Sequence, residues 1–366
     1  MKIVRATLKI LFHVLHALSV ALLLGALLAA HIPPYRFPLL AFLGLLFPFL
    51  LLLNIFFLFF WIILRRWWAL LPAATLCLAV PSLLHFCAFH SGNAARPARH
   101  SFRMMSYNVR NFDLYNWNHN KETRSAMFRL IRDQQPDIAS FQEFYTSENE
   151  PFRNIEALLQ VSGLPYYYFR KSFNQFDRNF WGIITFSRYP IIDSGTVEFD
   201  NRTQNGCLWV DLALGPGRVV RVFNVHLQSI HLDEREYDFM DSVADKKSVI
   251  VQESRNIFSK MNRAYQYRAH QAEKIAKAMA ASPHPVLLSG DFNDTPLSYA
   301  YHTISHGMED AFLEHGSGIG STYIFFLPFF RIDYILHSAS LRAKTFQILK
   351  EQYSDHYAIV SDLDMN

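Results

Sequence analysis

The first hundred residues contain no aspartate and no glutamate. Eight basic residues lie among them: Lys2, Arg5, Lys9, Arg36, Arg65, Arg66, Arg96 and Arg99. The 366-residue chain carries 35 basic and 31 acidic side chains, so residues 101–366 hold 27 basic against all 31 acidic, a net of −4. The basic character belongs to the amino-terminal part. The remainder lacks the overall positive charge of a nucleic-acid-binding domain, although a local basic patch is compatible with that sum. Cysteine is scarce: Cys77 and Cys87 lie in an apolar stretch and Cys207 stands alone beyond it. Neither CxxC nor HExxH occurs, which argues against a zinc site and a disulfide framework. Internal repeats, low-complexity tracts and long basic runs are also missing.

What the first ninety residues do have is apolar length. Uncharged runs cover 10–30, 38–64 and 67–89. Each is long enough for a helix crossing a ~30 Å hydrocarbon core, which takes roughly 20 residues. A buried helical hairpin in a soluble protein is the alternative, but no polar face interrupts these runs. The first run also has the layout of a signal peptide, and two further spans would keep the protein anchored in either case. Loop charges set an expected orientation. Lys2, Arg5 and Lys9 precede span one, Arg65 and Arg66 separate spans two and three, and only Arg36 lies between spans one and two. The N-terminus is then cytoplasmic, and three crossings put the following domain on the other side, as in an integral protein of a bacterial inner membrane. Arg96, Arg99 and Arg103 pull the other way. Trp61, Trp67 and Trp68 suit an interfacial belt. The expected organisation is an anchor of three transmembrane helices over 1–92, a linker over 93–100 and a second domain over 101–366.

From residue 101 the pattern changes to short β-like runs between helices. Strands are expected at 102–109, 137–144, 181–187, 208–214, 219–228, 286–292, 332–337 and 357–363. Helices are expected at 122–133, 152–161 and about 255–281. The class is α/β or α+β with a large core.

Several strands finish on polar residues at their carboxyl ends, where α/β folds tend to place ligands. Asn108 ends an apolar strand. Glu143 sits between phenylalanines with no Lys or Arg within five residues, and burying a carboxylate costs several kcal/mol unless it is paired or bound to a cation. Alternation puts Asn224, His226 and Gln228 on one face. A buried strand runs into the acidic turn of Asp291, Asn293 and Asp294. Asp333 begins a strand, and Asp355 and His356 precede the last one. Taken singly, a strand-end Asn or Asp is usually a turn former, and a lone His is usually a satisfied core residue. Taken together, Asn, Glu and Asp oxygens suit a hard ion such as Mg²⁺. Two histidines and a further aspartate add acid–base capacity.

These residues resemble the endonuclease/exonuclease/phosphatase superfamily, which includes pancreatic-type deoxyribonuclease, apurinic endonucleases, inositol polyphosphate 5-phosphatases and bacterial neutral sphingomyelinases. The resemblance covers essentially all of 101–366. Its anchors come in the family's order: Asn108, Gln142-Glu143, Asn224 and His226, Asp291 and Asn293, Asp333, and Asp355-His356. It implies a four-layer sandwich, two packed mixed β-sheets with helices outside. It also implies metal-dependent hydrolysis of phosphate esters with Mg²⁺, or Mn²⁺ in its place. Glu143 then looks like the principal metal ligand, with Asn108 and Asp355 beside it. Asp291 resembles the residue that positions or deprotonates the attacking water, and Asn293 the residue that holds Asp291. His356 resembles the histidine on the scissile phosphate, Asp333 its orienting carboxylate, and His226 the second phosphate-contacting histidine of the deoxyribonuclease and phosphatase branches. Apurinic endonucleases usually carry tyrosine at that last position. The glutamate that pairs with this histidine in pancreatic-type enzymes has no counterpart here; the nearest position holds Trp181.

The expected partners are a lipid bilayer, through the spans, and a phosphate-ester substrate; no protein partner is legible. A nuclease-like reading would use Arg110, Arg170, Lys171 and Arg178 on a phosphate backbone, or these are ordinary surface charges. A lipid-headgroup or inositol-phosphate reading would use the anchor and the aromatic run from Tyr323 to Phe330, which could dip into a bilayer or simply pack under the sheet. A third reading is a degenerate, non-catalytic binding module. Residues 229–254 look like an insertion near the site, either substrate-selecting or a solvated helical excursion.

Overall fold

A computed structural model describes residues 2–90, 101–199, 205–230, 247–324 and 329–365. The chain divides into two compact units, one containing the amino-terminal helices and the other the β-sheets.

The first unit starts with α1 (Lys2–Leu28), α2 (Pro38–Leu45), α3 (Phe47–Ile63) and α4 (Leu70–Phe86). Two stretches, Val4–Leu28 and Trp67–Phe86, are long and apolar enough to cross a membrane. The expected span at 38–64 is instead two helices meeting at 68°. Pro48 accounts for the break. It has no N–H to donate to the Gly44 carbonyl, and its ring crowds that turn. The pair therefore counts as one span only if a broken helix is allowed. The third apolar run also ends early as a helix, at Phe86, because Ala88–Phe89 forms a strand. Within this unit the buried Asn54 donates to the carbonyls of Ser19 (3.0 Å) and Leu50 (2.9 Å), tying α3 to α1. Gly25 and Gly44 let α1 and α2 approach closely, since a methyl on either would strike Leu43 or Ala29.

The second unit begins with β1 (Ala88–Phe89) and β2 (Phe102–Asn108), then α5 (Thr123–Gln134), β3 (Ile138–Ser147) and α6 (Asn154–Ser162). There follow β4 (Tyr166–Gln175), β5 (Asn179–Ser187), β6 (Ile191–Val197), β7 (Gly206–Gly215) and β8 (Arg218–His226). The long helix α7 (Lys247–Ala280), whose residues 247–269 belong to the first unit, leads to β9 (Val286–Asp291), then α8 (Tyr299–Ser305), whose residues 299–302 also belong to the first unit, β10 (Glu309–Asp310) and α9 (Ala311–His315). The chain closes with β11 (Ser317–Gly318), β12 (Asp333–His337), β13 (Leu341–Ala343), β14 (Gln347–Ile348) and β15 (Ile359–Met365).

Two mixed sheets result. One has the order β13-β15-β2-β3-β5-β4, with β14 also on β15; the other has the order β10-β12-β9-β8-β7-β6. Each contains one parallel pair near its middle, β2 with β3 and β8 with β9. Parallel neighbours need a crossover, and the chain supplies a helix for each, α5 for the first and α7 for the second. Side chains alternate across the strands, so each sheet has an inner face. Met104, Ile138 and Ile183 of one sheet join Leu208, Val222, Leu287 and Ile335 of the other in a shared core. The outer face of the first sheet carries Met105, Phe141 and Ile184 and packs against Met127, Ile131 and Leu158 of α5 and α6. The architecture is thus mixed α/β, with paired mixed sheets flanked by helices. Of the 229–254 segment, residues 231–246 lie outside the described residues. Of the aromatic run, 325–328 also lie outside them, while Phe329 is buried.

Candidate active site

The two parallel pairs deliver the site. In a parallel pair both carboxyl ends lie at the same edge of the sheet. Asn108 ends β2 opposite Gln142 of β3, and His226 ends β8 opposite Asp291 of β9. The sheets are bolted together just beneath these ends. Gln142 Nε2 donates to Asn224 Oδ1 (2.7 Å), and Asn224 Nδ2 donates to the carbonyls of Phe141 (3.2 Å) and Ile184 (2.9 Å) across the interface. Asn224 shares a face with His226, as alternation requires, but its amide is spent on this network. Gln228 is likewise turned to local bonds, with its Nε2 on the Ser229 carbonyl and its backbone N–H on Gln271.

Glu143 reaches the site through a β-bulge. The register of β3 on β5 shifts between Phe141 and Phe144, and Glu143 takes φ 47°. The extra residue lets Phe141 and Phe144 both stay buried while the carboxylate swings out to the strand end. Its side chain keeps 34% of its surface open. The removal of water around it, and then the charge of Asp355 and Asp291, push its pKa up to about 7 against the pull of His356 and the Asn108 amide. Asn108 Nδ2 stands between two carboxylates, 3.3 Å from Glu143 Oε1 and 3.0 Å from Asp291 Oδ2. Asp355 Oδ2 meets Arg110 Nε at 3.4 Å. Ser354 Oγ, bonded to the Asn108 carbonyl (2.8 Å) and to Asp355 Oδ1 (3.1 Å), ties that loop to β2. Arg110 itself sits at the head of four consecutive left-handed residues, Arg110 to Asp113. That backbone costs about 1–2 kcal/mol per non-glycine residue, and the buried Phe112 ring offsets part of it.

On the facing sheet Asp291 is the hub. It is fully buried at the end of β9. Gly290 precedes it with φ 147°, and a Cβ there would collide with the Val225 carbonyl, so the chain can pass β8 only as glycine. Asn293, at φ 53°, donates its backbone N–H to Asp291 Oδ1 (2.7 Å) and its side-chain amide to Asp291 Oδ2 (3.2 Å). A second bond from that amide to the Leu227 carbonyl (3.1 Å) fixes the turn. His226 Nε2 lies 3.6 Å and His356 Nε2 3.7 Å from Asp291 Oδ2. Asp333, paired with Asp291 across β12 and β9, bonds His356 Nδ1 at 2.9 Å. Burial alone would lower the His356 pKa, but Asp333 and Asp291 outweigh it and hold the imidazole well above its ordinary 6.5. Burial also raises Asp291, against His356 and His226 and with Asp333 adding to the push. All eight residues expected from the sequence therefore meet in one place: Asn108, Glu143 and Asp355 on one side, and His226, Asp291, Asn293, Asp333 and His356 on the other.

Against this geometry, the profile described as Endonuclease/Exonuclease/phosphatase family matches residues 105–356. The chain belongs to this family. Residues 9–86 match a second profile, Domain of unknown function (DUF8431). No curated protein matches the chain. The human Nocturnin catalytic domain with bound sulfate anion is similar over 74% of this chain and 96% of its own, at 17% identity and a TM-score of 0.52. The endonuclease/exonuclease/phosphatase from Bacteroides vulgatus covers 73% of this chain and 99% of its own, at 20% identity and a TM-score of 0.51. A family protein from Bacteroides thetaiotaomicron covers 74% and 100%, at 17% identity and a TM-score of 0.52. At these identities the likeness establishes the fold. Membership of the endonuclease/exonuclease/phosphatase family carries phosphoester hydrolysis, generally with a divalent metal, as its broad activity.

The donor chemistry here fits such a metal. Glu143 and Asp355 offer carboxylate oxygens, the preference of a hard cation; Asn108 turns its Nδ2 toward Glu143 and Asp291 while its Oδ1 accepts the Arg110 backbone N–H (3.1 Å), so it would offer an oxygen only with its amide turned over. The charge on Glu143 is disfavoured first by loss of water and then by Asp355 and Asp291, and a divalent cation would relieve both. Asp291, Asp333 and His356 are one of two groups among the described residues whose ligand atoms all lie within 4.8 Å of one another; Glu309, Glu314 and His337 are the other. In the group at the site, the Asp333–His356 hydrogen bond (2.9 Å) already joins two members, and Asp291 lies 3.7 Å from the other imidazole nitrogen. Two features escaped the sequence: the Gln142–Asn224 bolt, and Tyr323, whose ring stands 5.0 Å from that of His356 and whose backbone bridges to it. The alternation of β8 pointed at Asn224, but only the second sheet reveals what it bonds.

Proposed function

We propose that this chain is a membrane-anchored, Mg²⁺-dependent phosphoesterase that hydrolyses a phosphodiester by in-line attack of water, in the manner of a nuclease. The observation that carries the reading is the convergence on Asp291 Oδ2 of Asn108 Nδ2 (3.0 Å), His226 Nε2 (3.6 Å) and His356 Nε2 (3.7 Å). Attack on phosphorus loads negative charge onto the oxygens around it. His226 and His356 donate to those oxygens, His356 as an imidazolium kept charged by Asp333. Asp291 takes the proton of the attacking water, and Asn293 keeps the receiving oxygen aimed. Glu143, Asn108 and Asp355 would hold the cation. Bound there, Mg²⁺ would supply charge neutralisation at a phosphate oxygen. A diester suits this site better than a monoester. Among the described residues, Arg110 is the Lys or Arg that ion-pairs with a site residue, and Asp355 already holds it; a dianionic monoester calls for more positive charge.

The anchor reading rests on the apolar helices and the loop charges, with the N-terminus cytoplasmic and the catalytic domain on the opposite side. It favours one second substrate class, a lipid headgroup cleaved at the bilayer. The test uses the detergent-solubilised full chain on bis(p-nitrophenyl) phosphate, oligonucleotides, inositol phosphates and phospholipid vesicles, with Mg²⁺ or with chelator. Turnover that stops on chelation and drops at least about a thousandfold in Asp291→Asn supports the proposal. Equal rates for Asp291→Asn and wild type would overturn it.

A further inference from the structure

Four basic residues, Arg110, Arg170, Lys171 and Arg178, look interchangeable in sequence, and the fold separates them. Arg110 is held by Asp355 and lies 4.4 Å over the Trp117 ring. Lys171 rests 3.9 Å over Phe180. Arg178 is exposed beside the β4–β5 turn. Arg170 is different. It is half-buried on β4, and among the described residues no carboxylate pairs with it. Its Nη1 donates to Ser172 Oγ at 2.7 Å and to the Asn205 carbonyl at 3.4 Å. Both acceptors are neutral, and among the described residues Nε and Nη2 have no further hydrogen-bond partner. A guanidinium drawn partly out of water without a counter-charge is costly, and an arriving anion relieves the cost.

The position of that guanidinium matters more than its charge. A Cβ built on Gly206 would overlap Arg170 Nη1 and Cζ. Gly206 opens β7 and pairs with His226 at the end of β8. Residues directly opposite on antiparallel strands point their side chains to the same face, about 5 Å apart. Gly206 has no side chain, and the Arg170 guanidinium fills its place. It therefore stands as the cross-strand neighbour of the His226 imidazole, on the face that bears the site.

Building on the phosphodiesterase reading, we propose that Arg170 binds a second phosphate of the substrate, next to the scissile one, so that the enzyme selects substrates carrying at least two phosphates. Its free Nε and Nη2 form the fork that grips a phosphate in two bonds. Gly206 is the residue that lets the guanidinium lie there. The second phosphate could belong to a nucleotide strand or to a doubly phosphorylated headgroup.

The test uses the full chain in detergent, as wild type, Arg170→Gln and Arg170→Lys, each first checked for an unchanged melting temperature. Substrates are bis(p-nitrophenyl) phosphate, with one phosphate, a short oligothymidylate and glycerophosphoinositol bisphosphate. Arg170→Gln is expected to raise KM for a substrate with two or more phosphates by about tenfold to a hundredfold more than for the single-phosphate ester. Arg170→Lys should restore part of the loss, because a lysine keeps the charge without the fork. Dependence on the oligothymidylate alone identifies a strand, and dependence on the inositol compound alone identifies a headgroup. Equal losses on all three substrates, or none, would overturn the subsite. Fluorescence anisotropy of labelled oligothymidylate and inositol bisphosphate, in chelator, gives a readout without turnover. Weaker binding of either by Arg170→Gln would sustain the subsite even if no ester were hydrolysed and the phosphodiesterase reading fell. Unchanged binding of both would reject it.

Discussion

Replacing Asp333 by asparagine removes a negative charge 2.9 Å from His356 Nδ1 at nearly constant size. Both side chains are almost out of water, at 2% and 5% exposure. At an effective dielectric of about 20 and a charge separation of about 4 Å, such a pair is worth ~4 kcal/mol. That corresponds to about three pK units of the imidazolium. Asp291, 3.7 Å from the other nitrogen, still favours the proton, so a part of the elevation survives. The alkaline limb of kcat/KM, followed on bis(p-nitrophenyl) phosphate with saturating Mg²⁺, should therefore move toward lower pH by about one to three units. At pH values below the shifted limb the imidazolium returns, and the variant should approach the wild-type rate within about tenfold. Loss of structure alone would lower the rate evenly at every pH. A variant whose alkaline limb stays with that of wild type would refute the assigned partnership of Asp333 and His356.

Two further outcomes follow from the electrostatics. Glu143 has a folded pKa of about 7, above its ordinary 4.5, so its contribution to stability is present below 4.5 and fades as pH rises through 7. The metal-free wild type should lose melting temperature across that window and regain it with Mg²⁺; Glu143→Gln should lose less, since Asp291 is raised in the same direction and still contributes, and should recover less with Mg²⁺, whereas a full wild-type Mg²⁺ response in the variant would contradict the ligand assignment. At the other end of β12, the buried His337 bonds Glu314 at 2.7 Å. Burial opposes charge on both groups, yet their pairing raises His337 above 6.5 and lowers Glu314 below 4.5. The pair thus stabilises fully between about pH 4.5 and 6.5, weakening as pH climbs through the raised His337 value or falls through the lowered Glu314 value. With Glu314 29% exposed, Glu314→Gln should cost about 1–3 kcal/mol at pH 6 and less at pH 9 by chemical denaturation. An equal cost at both would dismiss the ion pair.

Much of the candidate site was readable because strand ends announce themselves. Apolar runs that finish on Asn108, His226 and Asp291 are the carboxyl ends of β2, β8 and β9, and these strands form the parallel pairs that meet at the site. The edge strands were not readable. β4 alternates poorly, since its Tyr166, Tyr167, Lys171 and Phe173 are exposed, and β6 carries Ile192 and Asp193 on the open side. With few buried positions, neither leaves the apolar pattern that marks a strand. Conformation at single residues was equally hidden: the bulge at Glu143 and the left-handed turn at Arg110 to Asp113 are imposed by packing around them. The bend before α3 was foreseeable from Pro48, but the apolar length of the run concealed it. The mutual pairing of Gln142 and Asn224 needs two sheets, and periodicity within one strand cannot report it.

The central claim is that one divalent cation is held by Asn108, Glu143 and Asp355 within reach of Asp291 and His356. Crystals of the full chain grown with Mn²⁺ and an unreactive phosphate analogue test it directly through the anomalous signal. The account predicts one peak bonded to Glu143 Oε, with Asn108 and Asp355 beside it at about 2–2.5 Å or through a single water, and the analogue's phosphorus between His226 and His356. A peak elsewhere, or none at millimolar Mn²⁺ with the analogue in place, would contradict it.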